Sequence, residues 1–118
     1  MKFAEIVSCA LAVVALVFTA AYAAGDAARG KVLFSDPKFA GGSKACAECH
    51  PNGKGLEKAG AKKEFHVMEQ TQKSLEEAVN ACIVGANKGM AIDVKSPQMQ
   101  DIVAYIRSLS GKKSSPGY

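Results

Sequence analysis

The sequence predicts a small all-α domain of three to four short helices, on three observations. Apolar residues recur at helical spacing in two stretches: Leu75, Ala78, Val79 and Cys82, then Met99, Ile102, Val103, Ile106 and Leu109. Helix-start signals stand directly before them, Ser74 with Glu77 in one case and Ser96 with Pro97 in the other. No segment alternates apolar and polar residues as a half-buried strand would. With 118 residues, 22% charged and 48% hydrophobic, the chain has the composition of one globular domain rather than a disordered segment.

Residues 1–24 read as an export signal. Lys2 supplies a basic start, Ile6 to Ala21 is an apolar run, and Ala21-Tyr22-Ala23 is a small-x-small cleavage pattern. The run is short for a membrane span, which takes about 20 residues. Membrane attachment is therefore expected only if this segment stays on the chain. Most of the apolar run follows Cys9, whereas in a lipoprotein it would precede the lipid-bearing cysteine. Cleavage would remove Lys2 and Glu5 together and leave the formal net charge at +4, too mild to argue for nucleic acid.

The domain proper is expected over 25–111, with a polar tail at 112–118. Asp26 caps a first helix running to about Ser35, with Gly30 and Phe34 four apart on one face. A Gly-rich loop over Phe39 to Lys44 leads into a short helical turn. Pro51 to Gly60 is rich in Gly and Pro and is expected to be irregular. The Ser74 helix runs from Leu75 to about Val84 and stops in Gly85 to Gly89. The last helix starts at Pro97, with Gly111 beyond its end.

The cysteines carry the chemistry. Of the four in the chain, Cys9 lies in the export signal, leaving Cys46, Cys49 and Cys82, an odd number for an exported protein. Cys46-Ala47-Glu48-Cys49-His50 accounts for two of them. Two thiols at this spacing present their sulfurs to one edge of a porphyrin and add to its vinyl groups as thioethers. The adjacent His50 then stands under the iron as the proximal ligand. A zinc site would need a second ligand pair at similar spacing, and a thioredoxin-like dithiol would need a βαβ unit; neither pattern is present. One covalent haem c is therefore expected, with its apolar faces completing a core that a short chain builds poorly by itself.

Gly30-Lys31-x-Leu33-Phe34, the Cys46–His50 motif and Ala104-Tyr105-Ile106 in the final helix resemble class I c-type cytochromes over residues 26–110. The resemblance implies that the first and last helices cross near Gly30 and Tyr105. It also implies that a backbone carbonyl between Pro51 and Leu56 holds the His50 ring. Asn80-Ala81-Cys82-Ile83, Gly89, Ile92, Ser96, Met99 and Leu109-Ser110 are similar to cytochrome domains of thiosulfate dehydrogenases and of the haem subunit of the sulfur-oxidising complex. That likeness implies Cys82 as the distal haem ligand.

Chemistry offers several distal donors. Cys82 is the leftover thiol on the inward stripe of its helix and is the first choice. Met90 is the close second, because it precedes Tyr105 by the interval usual in class I cytochromes, although its neighbours are Gly89 and Ala91 rather than the usual Pro. Met99 reads as a packing residue of the last helix. Met68 has no spacing argument either way, and His66 is a lone loop histidine.

The function expected is periplasmic electron transfer by a non-enzymatic one-electron carrier working between redox partner proteins. Lys54, Lys58, Lys62 and Lys63 read as a solvated loop or as a docking patch for an acidic partner. The alternative is a haem enzyme or subunit acting on sulfur compounds such as thiosulfate. Only Lys88 and Lys95 would be placed to draw an anion to the distal side. A gas sensor that loses its distal ligand is a third option.

Overall fold

The computed structural model describes residues 25–111. The export signal expected over 1–24 and the tail expected over 112–118 lie outside the described residues. Among the described residues four helices carry the fold: α1 (Ala27–Phe34), α2 (Cys46–Cys49), α3 (Leu75–Gly85) and α4 (Pro97–Ser108). Single 3-10 turns at Phe39–Gly41, Pro51–Gly53 and Ala59–Ala61 punctuate the long connection between α1 and α3. No helix among the described residues is long and apolar enough to cross a membrane.

Each long helix starts where its cap signal stands. Asp26, Ser74 and Ser96 are extended at the N-cap and accept through their side chains from the N–H of Arg29, Glu77 and Met99. These bonds satisfy backbone donors that a helix start leaves without an internal partner. The Glu77 carboxylate also accepts from the Lys73 N–H at 2.9 Å, just outside the helix.

The core is built on α4. Met99, Ile102, Val103, Tyr105, Ile106 and Leu109 are all buried, and they gather Phe34 from α1 and Leu75, Ala78, Val79 and Ile83 from α3. Burying one such side chain contributes about 1.5–3 kcal/mol. Phe34 meets Tyr105 edge to face, with ring centroids 5.1 Å apart and planes at 63°, the geometry that the ring quadrupoles favour.

α1 and α4 approach closely at Gly30. A Cβ there would overlap the Asp101 carbonyl and stand 2.9 Å from the Tyr105 Cβ. Buried Asp101 fastens the same contact: its carboxylate accepts from the Asp26 N–H at 2.7 Å and from Arg29 Nε at 3.2 Å.

One element departs from the all-α expectation. Phe65–Val67 (β1) and Gln70–Gln72 (β2) pair antiparallel, with Phe65 opposite Gln72 and Val67 opposite Gln70. The turn between them is Met68-Glu69, both at positive φ (53° and 65°). A two-residue hairpin of this hand normally takes Asn or Gly. The strands are too short to show alternation and the turn has the wrong residues to announce itself. The hairpin is therefore invisible to periodicity. It packs on the core through buried Phe65.

Candidate functional site

α2 begins at Cys46, and its first turn is tied by the Glu48 carboxylate, which accepts from the Ala45 N–H. The short helix places Cys46 half-buried, Cys49 exposed and His50 at its C-cap, partly buried. All three line one cavity of about 740 Å3. That volume lies in the range of about 300–1,000 Å3 typical of small-molecule and cofactor sites. The rest of the wall is largely apolar, with Phe34, Leu56, Phe65, Val79, Ile102 and Ile106 among its residues. Two neighbouring thiols, an imidazole and an apolar wall are the donor set and surroundings that fit a covalently held iron porphyrin.

The His50 ring is already oriented. Its Nδ1 lies 2.9 Å from the Lys54 carbonyl oxygen and donates to it, which leaves Nε2 free for a metal. The accepting carbonyl thus falls within the Pro51–Leu56 segment. Gly55, at φ +93°, makes the turn there; a Cβ on it would meet the ring only at ordinary contact distance, 3.5 Å from Nδ1, so the positive φ is what calls for glycine.

Cys82, half-buried on α3, lines the same cavity. Burial pushes its thiol above the ordinary value, and the Cys46 and Cys49 sulfurs, when charged, push it the same way. The neutral thiol is therefore favoured here unless a bound cation stabilises the thiolate, as direct metal coordination does. Burial also raises the Cys46 thiol, against the opposing effect of a hydrogen bond from Asn87.

The other candidate donors divide sharply. Met90 is 77% exposed, lies outside the cavity wall, and its N–H is spent on the Ala40 carbonyl at 2.9 Å. The loop that carries it is fixed by Asn80, whose side chain donates to the Ile92 carbonyl at 2.8 Å and accepts from the Ile92 N–H at 2.9 Å. Met99 is fully buried in the core and does not line the cavity. Met68 does line it, from the hairpin turn, with its side chain against Gly85. His66 also lines it, with Nδ1 3.1 Å from the Thr71 hydroxyl.

Of the four-lysine cluster, Lys58 and Lys62 line the cavity, with the Lys62 ammonium 5.5 Å from the centre of the Phe65 ring. Lys54, Lys63, Lys88 and Lys95 do not line it.

Asn87 escaped the sequence reading altogether. It lies two residues past the end of α3, is only 7% exposed, lines the cavity, and donates from Nδ2 to the Cys46 sulfur at 3.4 Å. No local pattern marks an Asn in a helix-to-loop segment as a partner of a cysteine so distant in sequence.

The model of one protein family, the SoxA/TsdA cytochrome c domain, matches residues 29–114. Neither a curated protein nor a solved structure matches the chain.

Proposed function

The chain belongs to the SoxA/TsdA cytochrome c domain family, a class I cytochrome that holds a c-type haem for electron transfer, and on that premise we propose that it is an exported, periplasmic one-electron carrier. In this reading residues 1–24 are removed as a signal peptide, 25–111 form a domain with one haem, and 112–118 are a tail. Cys46 and Cys49 attach the haem as thioethers, His50 is the proximal ligand and Cys82 the distal one. One observation carries the proposal: Cys46, Cys49, His50 and Cys82 share the wall of one apolar cavity, with the His50 ring held by the Lys54 carbonyl.

A carrier needs a haem ligated on both faces and a surface for docking. Cys82 rather than Met90 is favoured for the second face, because Cys82 is in the cavity wall and Met90 points to solvent. Lys54 and Lys63, exposed beside the cavity-lining Lys58 and Lys62, suit an acidic redox partner. Bound haem supplies the one-electron chemistry. The chain supplies ligands, an apolar wall that lowers the local dielectric, and orientation of the imidazole.

The distal assignment is tested by visible spectra and redox titration of Cys82→Ser and Met90→Ala. A thiolate favours ferric iron, so its loss shifts the ferric spectrum and raises the potential, while Met90→Ala leaves both unchanged. A silent Cys82→Ser beside an altered Met90→Ala would reverse the assignment.

The family match also supports a second reading, an enzyme or enzyme subunit acting on a sulfur compound such as thiosulfate. Lys88 and Lys95, the two lysines expected to draw an anion to the distal side, stand outside the cavity wall, which favours the carrier. Steady-state assay with thiosulfate and an electron acceptor separates the two. Turnover above a free-haem background would displace the carrier reading.

A further inference from the structure

Asn87 is a buried polar residue with no part in the function so far described, and three of its hydrogen-bonding groups are engaged around the site. Its side-chain amide donates to the Cys46 sulfur at 3.4 Å. Its backbone N–H donates to the Cys82 carbonyl at 2.9 Å, and its own carbonyl accepts from the Ser43 N–H at 2.9 Å. One residue therefore joins the segment entering the attachment motif, the first attachment sulfur and the distal cysteine.

The end of α3 makes that connection matter. Cys82 sits in the last turn of the helix, where carbonyls lack helical partners. Its carbonyl is taken by the N–H groups of Ala86 and Asn87, both at 2.9 Å, and the next one, of Ile83, by Gly89 at 2.8 Å. The position of Cys82 along the cavity thus depends on where the 86–89 loop is anchored. The Asn87 side chain anchors it to Cys46. A buried amide that lost this partner would also lose its satisfaction, since burial leaves little water to replace it.

We infer that Asn87 is a positioning residue for the distal ligand, tying the C-terminal end of α3 to the Cys46 edge of the cavity and so fixing the distance of the Cys82 sulfur from the iron. The inference rests on the reading of Cys82 as that ligand. It predicts that loosening Asn87 shifts the balance between bound and released Cys82 sulfur, with no change in the identity of the ligands.

The test is imidazole binding to the ferric, haem-loaded protein, followed by absorbance. Asn87→Asp keeps the shape and removes the donor; Asn87→Ala removes the side chain and carries the test if a buried carboxylate prevents folding. Ser74→Ala, which uncaps the opposite end of the same helix, is the control for general destabilisation. In both Asn87 variants half-saturation is expected at an imidazole concentration about five- to tenfold lower than in the parent protein, the size of one buried hydrogen bond. Ser74→Ala is expected to lower Tm and leave imidazole affinity where it was. If the Asn87 variants lose Tm as Ser74→Ala does and bind imidazole like the parent, the side chain is merely structural and the inference fails. A Cys82→Ser protein with an unchanged ferric spectrum overturns the distal assignment and this inference together. A shifted Cys82→Ser spectrum beside unaltered imidazole affinity in the Asn87 variants overturns this inference alone.

Discussion

At His50 a single backbone carbonyl decides which ring nitrogen is available. Lys54 supplies it at 2.9 Å from Nδ1, and Gly55 supplies the turn that aims it, at φ +93°. A side chain at that φ meets its own backbone, at a cost of roughly 1–2 kcal/mol. Gly55→Ala is therefore expected to lose about that much stability in urea unfolding of the haem-loaded protein, with the ring still ligated. An unchanged urea midpoint would mean that the loop shifts and the carbonyl is held by something other than this turn. Cys46, Cys49 and His50 could be singled out from the sequence because the chemistry proposed for them fixes their spacing, and they do line one cavity. The partner carbonyl was legible only as a segment, from resemblance, since any residue type offers a carbonyl. Asn87 was not legible at all, because its contact with Cys46 is made by tertiary folding.

Helix ends and helix faces were the part of the fold best written into the sequence. Asp26, Ser74 and Ser96 each cap the helix they announce, and the apolar stripe of α4 becomes the middle of the core. These features depend on neighbours a few residues apart. The hairpin over Phe65–Gln72 depends instead on a turn, Met68-Glu69, whose residues do not prefer the left-handed conformation they adopt. The packing of α1 on α4 is a test at this scale. Gly30 lies against the Asp101 backbone, which cannot move aside as a flexible side chain would. Gly30→Ala must separate the two helices, and overpacking of this kind costs about 1–3 kcal/mol. Thermal unfolding should show the loss, and Ala28→Ser, exposed on the same helix, should show almost none. Equal Tm values for the two variants would mean that this contact yields freely.

Core and cavity are not separate structures in this molecule. Phe34, Phe65, Leu75, Ala78, Val79, Ile102 and Ile106 belong to the hydrophobic core and to the wall of the cavity proposed for the haem at once. Domains of this size are marginally stable, and the apolar surface they bury barely offsets the entropy of folding. A group whose packing contacts and iron ligation form only in the folded state favours folding, and one tethered through thioethers, as proposed here, would do so without depending on free ligand. The chain that cannot be loaded should therefore lose far more than a local feature. Replacing both proposed attachment residues, Cys46→Ala with Cys49→Ala, removes two small side chains, one exposed and one half-buried, so the direct packing loss is slight. Far-UV circular dichroism of that variant is nevertheless expected to show reduced helix content, and urea to give a broad, weakly cooperative transition. A single sharp transition at the midpoint of the loaded protein would show that α1, α3 and α4 hold the core without the ring. Reduced cooperativity would place the haem among the elements of the fold, with the same side chains serving stability and the low-dielectric surroundings of the iron.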